Sequence, residues 1–334
     1  MTIQEMQENA RKTILNCKVC PVCNGLGCGN TMPGPGSKAP GNGAYDNWKA
    51  WQDIKLNMDV FVADGPVDTS TELFGREFSL PILTGPIGTL LQYSKEDVTI
   101  PFNDGVMQAC AETGIIDCFG DGLAPQTLPG ALASLEKHGA AAIPVINPIS
   151  MDDIKKEINL VNASNALAVC LVVDSAGLSI WSGGGFGTKT VDQIKALRAY
   201  TEKPFLLKGI MTAKNARQAV SAGADGIIVS NHGGRVLPYS ASTAEVLPEI
   251  VDAVGGQTKI IVDGGIRSGA DILKALAMGA DGVLICRPFC TAWFGGGAEG
   301  VKLVVEKLRG ELKEAMYMCG AHRLSEITAD MVRL

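Results

Sequence analysis

Two stretches of the chain repeat one another: Ala216–Val229 reads ARQAVSAGADGIIV and Ile272–Ile285 reads ILKALAMGADGVLI. Each is a helical pattern, a glycine stop and a continuous apolar run. Weaker copies end in Gly114 before Ile115-Ile116 and in Gly139 before Ala141-Ala142-Ile143. A glycine just past a helix suits the left-handed position that closes it. Short, wholly apolar runs are what parallel strands covered on both faces require. Candidate strands fall at residues 81–85, 115–119, 142–146, 167–174, 204–208, 226–230, 259–263 and 282–286. Eight strands alternating with helices predict an α/β fold of the (β/α)8 TIM-barrel kind. A doubly wound sheet would place a G-x-G-x-x-G turn after an early strand. The first strand here ends instead in Thr84-Gly85-Pro86-Ile87-Gly88.

At 334 residues the chain is long for one domain but ordinary for one barrel. Its 29 basic against 35 acidic residues give a net charge of −6, which argues against a nucleic-acid partner. No apolar run is long enough to span a membrane, and the polar start MTIQEMQENARK reads as a short surface helix, not a signal peptide. A cytoplasmic location is expected. The expected organisation is an N-terminal helix with a Cys/Gly/Pro-rich arm over residues 1–42, then the barrel over 43–334.

Ten cysteines divide into two groups. Cys110, Cys118, Cys170, Cys286, Cys290 and Cys319 are scattered through predicted strands and helices, where free thiols act as small hydrophobes. Cys17, Cys20, Cys23 and Cys28 crowd into C-x2-C-x2-C-x4-C, followed by the Gly/Pro-rich stretch from Gly29 to Gly43. Four thiolates at this spacing suit a tetrahedral zinc site or an iron–sulfur cluster. Cys20 to Gly27 also fits the C-x-x-C-x-G-x-G knuckle pattern. The alternative is a set of free, redox-active thiols in a loop.

Active-site groups of such barrels sit at the C-terminal strand ends. Strand 4 ends in Asp174-Ser175, strand 5 in Lys208-Gly209, strand 6 in Ser230-Asn231-His232-Gly233-Gly234-Arg235, strand 7 in Asp263-Gly264-Gly265-Ile266-Arg267, and strand 8 in Cys286-Arg287. The last two ends predict a phosphate cradle. Gly264, Gly265 and Gly269 allow close backbone approach, a helix beginning near Ala270 offers its amides, and Arg267 and Arg287 can fork onto phosphate oxygens. The phosphate belongs to a substrate or to a cofactor such as FMN. Lys208 fits a cation beside a reduced flavin or a Schiff-base lysine. His232 with Arg235 tips the reading to the flavin: the imidazole takes a hydroxyl proton, the guanidinium grips the neighbouring carboxylate at two points, and Asp174 holds the imidazole tautomer.

The stretches Phe205–Ile210, Ser230–Arg235, Val262–Arg267 and Arg287-Pro288-Phe289, with Val67–Gly75 and Leu80-Pro81-Ile82 upstream, resemble the FMN-dependent α-hydroxy-acid oxidase and dehydrogenase family. The resemblance runs from about residue 43 to 330 and implies a barrel with FMN at the strand mouth. It makes His232 the catalytic base, Arg235 the carboxylate contact, Asp174 the partner of His232 and Lys208 the neighbour of the flavin N1 edge. It places Ser230 near the ring, Asp263, Arg267 and Arg287 toward the ribityl phosphate, and Thr84, Gly85 and Gly265 on the cofactor. A homotetramer, a small 2-hydroxy-acid substrate and an unidentified electron acceptor are likewise implied.

The chain departs from that pattern. Ala39-Pro40 stand where the family has a tyrosine pair, and Val145-Ile146-Asn147-Pro148 lacks the tyrosine usual at the third strand end; Tyr45 and Tyr239 are the candidates to stand in. Val172 and Cys286 replace a usual Thr and Gly. The excursion after strand 4 is short, running from Ala176 to Thr188 around Trp181, and is expected to be a reduced lid. An FMN-dependent isomerase of the type 2 isopentenyl-diphosphate kind and a flavin/Cys redox sensor are the alternative functions. His138 is expected at a helix C-terminus and His322 at the surface.

Overall fold

The computed structural model describes residues 1–32, 34, 36–178 and 186–334. Eight parallel strands close into a barrel: β1 (Ile82–Thr84), β2 (Ile116–Gly120), β3 (Ala141–Ile146), β4 (Val169–Val172), β5 (Phe205–Ile210), β6 (Gly226–Val229), β7 (Lys259–Asp263) and β8 (Gly282–Ile285). β8 pairs with β1, Val283 opposite Ile82, so no edge is left open. Two helices precede the barrel, α1 (Ile3–Thr13) and α2 (Gly43–Asp53). One helix then follows each strand in turn: α3 (Thr99–Thr113), α4 (Thr127–His138), α5 (Met151–Asn162), α6 (Val191–Arg198), α7 (Ala213–Ser221), α8 (Thr243–Val254), α9 (Gly269–Ala277) and α10 (Arg287–Met318, interrupted at Gly296 and Gly297). The repeat behaves as its sequence predicts: Gly114, Gly139, Gly223 and Gly279 take φ of 70, 58, 86 and 96° at the ends of α3, α4, α7 and α9.

Alternation along each strand builds two apolar layers. Ile228, Ile261, Leu206, Cys170, Ile143 and Leu83 point into the barrel, while Ile227, Val229, Ile260, Val262 and Phe205 face the helices. All are essentially inaccessible to solvent. At roughly 25 cal/mol per Å2 of apolar surface, layers of this size dominate the folding free energy. The hairpin Thr71–Leu73 and Arg76–Phe78 contributes Leu73 and Phe78 to the inner cluster and so plugs the lower end.

The N-terminal helix is not a free surface element. Thr2 and Glu5 form a capping box on α1, and Met6 and Ala10 bury themselves in the outer core. The ideal Cβ of an alanine at Gly295 would stand 2.1 Å from the Met6 carbonyl, so α1 and α10 are in backbone contact there. Among the described residues no helix is long and apolar enough to cross a membrane.

Candidate active site

The strand ends converge on one cavity lined by Lys208 of β5, His232, Gly233 and Arg235 after β6, Asp263, Gly264, Gly265 and Arg267 at and after β7, and Cys286 and Arg287 after β8. Apolar side chains (Ile87, Leu123, Val145, Val172, Leu178 and Leu284) complete the wall, with Gly34 of the N-terminal arm.

Lys208 is 5% exposed, so its charge needs a partner inside the barrel. Its Nζ lies 2.9 Å from Asp263 Oδ2 and donates to Ser230 Oγ at 2.6 Å, while Ser230 Oγ donates to the same carboxylate at 2.8 Å. Burial works against the ammonium, but Asp263 and Asp174 outweigh it and hold the Lys208 pKa above the ordinary lysine value. Lys208 is thus a fixed, fully ionised cation in the floor.

His232 stands in a left-handed conformation, φ 56°, at the head of a tight turn through Gly234. That conformation is uncommon for a residue with a side chain and needs external support. Asp174 Oδ1 supplies it, 3.1 Å from His232 Nδ1. Burial would raise the Asp174 pKa, yet the imidazole and then Lys208 bring it below the usual carboxylate value. Gly209, at φ 107°, makes the approach possible: a Cβ there would come within 2.6 Å of the Asp174 side chain. Asp174 itself is behind His232 and does not line the cavity.

Arg235 departs from the expected two-point grip. Its Nη2 donates to Asn30 O at 2.8 Å, Asn30 Oδ1 at 3.0 Å and Met32 O at 3.0 Å, and Nη1 donates to His232 O at 3.2 Å. Either carboxylate-binding fork of a guanidinium uses Nη2 with Nε or with Nη1, and Nη2 is fully engaged by the arm. Nε is buried and has no hydrogen-bond partner among the described residues. Burial first and the neighbouring Arg287 second lower the Arg235 pKa to about 10, so it remains charged at neutral pH, with Nε–H and the second hydrogen of Nη1 outside the contacts to the arm and to His232 O.

The phosphate cradle also differs from expectation. The first amides of α9 are already used: Arg267 and Ser268 N–H donate to Asp271 Oδ2 at 3.0 and 3.1 Å, and Gly269 N–H donates to Glu311 Oε2 at 3.0 Å. Gly269 is packed against α10, where a Cβ would stand 2.0 Å from Leu312 N. Arg267 Nε donates to Cys23 O at 2.7 Å. Arg287, on the first turn of α10 and 8% exposed, has an Nη1 with no partner among the described residues. The donors left outside these contacts are therefore those of Arg287 and the remaining N–H groups of Arg267, not the first amides of α9.

Thr84, Gly85 and Ser230 lie beneath the cavity wall. Thr84 Oγ1 donates to buried Asp117 and accepts from Cys118 N–H at 3.0 Å, and Gly85 is pressed against Cys286. Neither tyrosine candidate replaces the missing ones: Tyr45 packs against Trp48 and Tyr239 is 78% exposed. Asn147, at the end of β3, lines the wall and is held by Asp121 and Ser175. Of the shortened loop, Leu178 lines the cavity, while Trp181 lies outside the described residues. His138 ends α4 beside Asp104, Nε2 to Oδ1 3.0 Å, and His322 Nε2 lies 2.8 Å from the Ala63 carbonyl oxygen.

The four arm cysteines are free and half-buried. Among the described residues no three Cys, His, Asp or Glu side chains converge as a metal-ion site, so the expected zinc or cluster tetrad is not assembled. The arm instead lies across the β6 turn. Asn30 Nδ2 and Ser37 Oγ donate to Gly233 O at 2.8 and 3.0 Å, and Lys38 N–H donates to Gly234 O at 2.8 Å.

Two supporting asparagines were not anticipated. Asn47 of α2 and Asn231 exchange side-chain hydrogen bonds at 2.7 and 2.9 Å, both buried, and Asn231 Oδ1 also accepts from Gly233 N–H at 3.1 Å. A signal existed: Asn47 sits with Ala44 and Trp51 on the buried face of α2, where an amide requires a polar partner.

Comparison with known proteins places these features in a family. Residues 36–180 and 181–334 match the FMN-dependent dehydrogenase family. A peroxisomal (S)-2-hydroxyacid oxidase of Arabidopsis thaliana is 48% identical over 140 residues, 42% of this chain and 39% of that protein. An L-lactate dehydrogenase of Pseudomonas putida is 46% identical over 151 residues, 45% of this chain and 40% of that protein. The matched stretches span about two fifths of these relatives' length. Among solved structures, a mandelate oxidase superposes with TM-score 0.81 at 28% identity, covering 99% of this chain and 98% of that one. The chain belongs to the FMN-dependent dehydrogenase family.

Proposed function

We propose that this chain binds FMN at the barrel mouth and oxidises a 2-hydroxy acid to the 2-oxo acid. The observation that carries the reading is the pairing of His232 Nδ1 with Asp174 Oδ1 at 3.1 Å on the rim of a cavity floored by a buried ammonium. Unpartnered buried donors and acceptors support an anionic, hydrogen-bonding guest: Arg287 Nη1, Arg235 Nε and Asp263 Oδ1 have no partner among the described residues. On this reading Arg287 and Arg267 would hold the phosphate, with Lys208 and the Gly264-Gly265 backbone as the other residues of the lining that would contact the cofactor. Bound FMN would supply the two-electron acceptor that no side chain provides.

The roles of the side chains follow from their partners. Asp174 fixes the tautomer with a proton on Nδ1, which leaves Nε2 to take the proton of the substrate hydroxyl, and it stabilises the imidazolium that results. Arg235 Nε contributes one charged N–H to the carboxylate. Lys208 holds positive charge at the floor, where low dielectric strengthens its effect on negative charge developing above it. The apolar wall of Leu123, Val145, Val172 and Leu178 favours a substrate with an apolar side chain. The isomerase alternative finds no support, since the curated relatives quoted are an oxidase and a dehydrogenase of hydroxy acids.

Anaerobic mixing with a panel of 2-hydroxy acids should bleach the flavin absorbance, and His232→Ala should abolish that bleaching. Purified protein that neither carries FMN nor takes it up would overturn the reading.

A further inference from the structure

The N-terminal arm carries chemistry that the proposed reaction leaves unused. Four thiols occur within Cys17–Cys28, all free and half-buried, whereas Cys110, Cys118, Cys170, Cys290 and Cys319 are sealed in the core. The arm is also bonded to both neighbouring guanidinium groups. Cys23 O accepts from Arg267, and Asn30, two residues beyond Cys28, accepts from Arg235 through both its oxygens. Asn30 is fully buried, and its side chain additionally donates to Gly233 O. The thiols and the arginine acceptors therefore share one short segment, in which Cys23 supplies both a thiol and the carbonyl that accepts from Arg267, and Asn30 follows Cys28 by two residues.

We propose that Cys17, Cys20, Cys23 and Cys28 form a reversible thiol-modification site, in which a low-molecular-weight disulfide oxidises two of them to an internal disulfide and withdraws the arm from Arg235 and Arg267. The exchange balances: the small disulfide loses its S–S bond and gains two electrons and two protons as two small thiols, while the arm forms one S–S bond and loses two thiol hydrogens. The segment suits ring closure. C-x2-C spacings make short loops of the kind used for dithiol exchange, and Gly25 and Gly29 (φ 86 and 59°) supply turns. A disulfide fixes its Cα atoms roughly 4.4–6.8 Å apart, so closing one within the segment draws in the chain on either side. Burial raises the Cys17 pKa, the Val19 N–H that donates to its sulfur at 3.4 Å opposes it, and Cys23, Cys28 and Cys20 add smaller upward contributions. Withdrawal of the arm takes three fixed acceptors from Arg235 Nη2 and leaves the guanidinium free to reorient, so a bound carboxylate loses a preorganised partner and substrate affinity falls, although the His232–Asp174 hydrogen bond itself involves no arm residue.

The test uses the full-length holoenzyme, reduced or treated with oxidised glutathione. The expected results are an arm peptide lighter by two hydrogens, faster limited proteolysis within the arm, and a KM raised about tenfold with kcat held, all reversed by dithiothreitol. The quadruple variant C17S/C20S/C23S/C28S should give one KM and one proteolysis rate with or without treatment. If it does not fold, the pairs C17S/C20S and C23S/C28S serve, and at least one should lose the response. Absence of an internal arm disulfide, or a disulfide that alters neither proteolysis nor KM, would overturn the proposal. So would zinc, or iron with sulfide, bound to the four thiols in protein purified without oxygen. The kinetic readout rests on the hydroxy-acid reading; the peptide mass and proteolysis do not, so a failure of that reading is distinguishable from a failure of the switch.

Discussion

Asn30 in the N-terminal arm and Arg235 after β6 meet through two contacts, Nη2 to Asn30 O at 2.8 Å and to Asn30 Oδ1 at 3.0 Å, across 205 residues of sequence. The arm is thus part of the cavity wall, and the orientation of the Arg235 guanidinium depends on it. Replacing Asn30 by Ala removes one acceptor from a buried guanidinium and the donor to Gly233 O. An unmet buried hydrogen bond of this kind costs about 1–3 kcal/mol. The expected outcome is a KM for the 2-hydroxy acid raised roughly tenfold or more with kcat within a few-fold of wild type, measured by steady-state kinetics. An equal fall in kcat would place Asn30 on the chemical step instead.

Asp174 acts through His232. Asp174→Asn preserves the shape of the side chain but offers an amide where Nδ1–H needs an acceptor. Where a buried carboxylate orients a catalytic histidine, its loss costs on the order of 10^4 in rate in the handiest precedent among hydrolases. For this chain the expected fall in kcat is about 10^2–10^4, with FMN binding retained because Asp174 lies outside the cavity lining. Stopped-flow flavin reduction measures it. A variant within threefold of wild type would remove Asp174 from the mechanism.

The fold was legible because its signal repeats. Each of β1 to β8 lies within two residues of a predicted strand boundary, the periodic apolar runs and glycine stops being local consequences of a parallel barrel. The polar strand ends at Asp174, Lys208, His232 and Asp263 were legible for the same reason, since a barrel directs them to one mouth. What the sequence concealed depends on long-range packing. The engagement of Arg235 and Arg267 by arm carbonyls needs contacts more than 200 residues apart, and no local pattern encodes an acceptor that is only a backbone oxygen. The α9 terminus looked like an anion site because Ser268 and Gly269 open it; Asp271 and Glu311 are the residues that close it.

Lys208 and Asp263 form an ion pair deep in the barrel, with side-chain exposures of 6 and 11%. Removing one partner strands the other. Lys208→Met leaves the Asp263 carboxylate with Ser230 alone, and unpaired buried charges of this type cost about 3–5 kcal/mol. The double variant Lys208→Met with Asp263→Asn should recover most of that loss in chemical denaturation, while activity stays low in both. Single and double variants of equal stability would show that the pair is not coupled.

Asp117 adds a pH dependence that is separate from the chemistry. Burial, offset in part by Thr84 and the Cys118 amide, raises its pKa from 3.8 to about 7. The folded state therefore keeps a proton that the unfolded chain releases at lower pH, and the sign follows from linkage: the unfolded state binds fewer protons between pH 3.8 and about 7, so stability falls as pH rises through that window. A separation of about three units corresponds to roughly 4 kcal/mol at most, at 1.36 kcal/mol per unit. Asp117→Asn cannot ionise and keeps a hydrogen-bonding group for Thr84. The variant should match wild type near pH 4 and exceed it by about 1–4 kcal/mol at pH 8, followed by urea denaturation at both pH values. The difference between the two proteins isolates Asp117, because every other titrating group is common to both. A variant less stable than wild type at pH 8 would mean that Asp117 is ionised in the folded protein and held by partners stronger than Thr84.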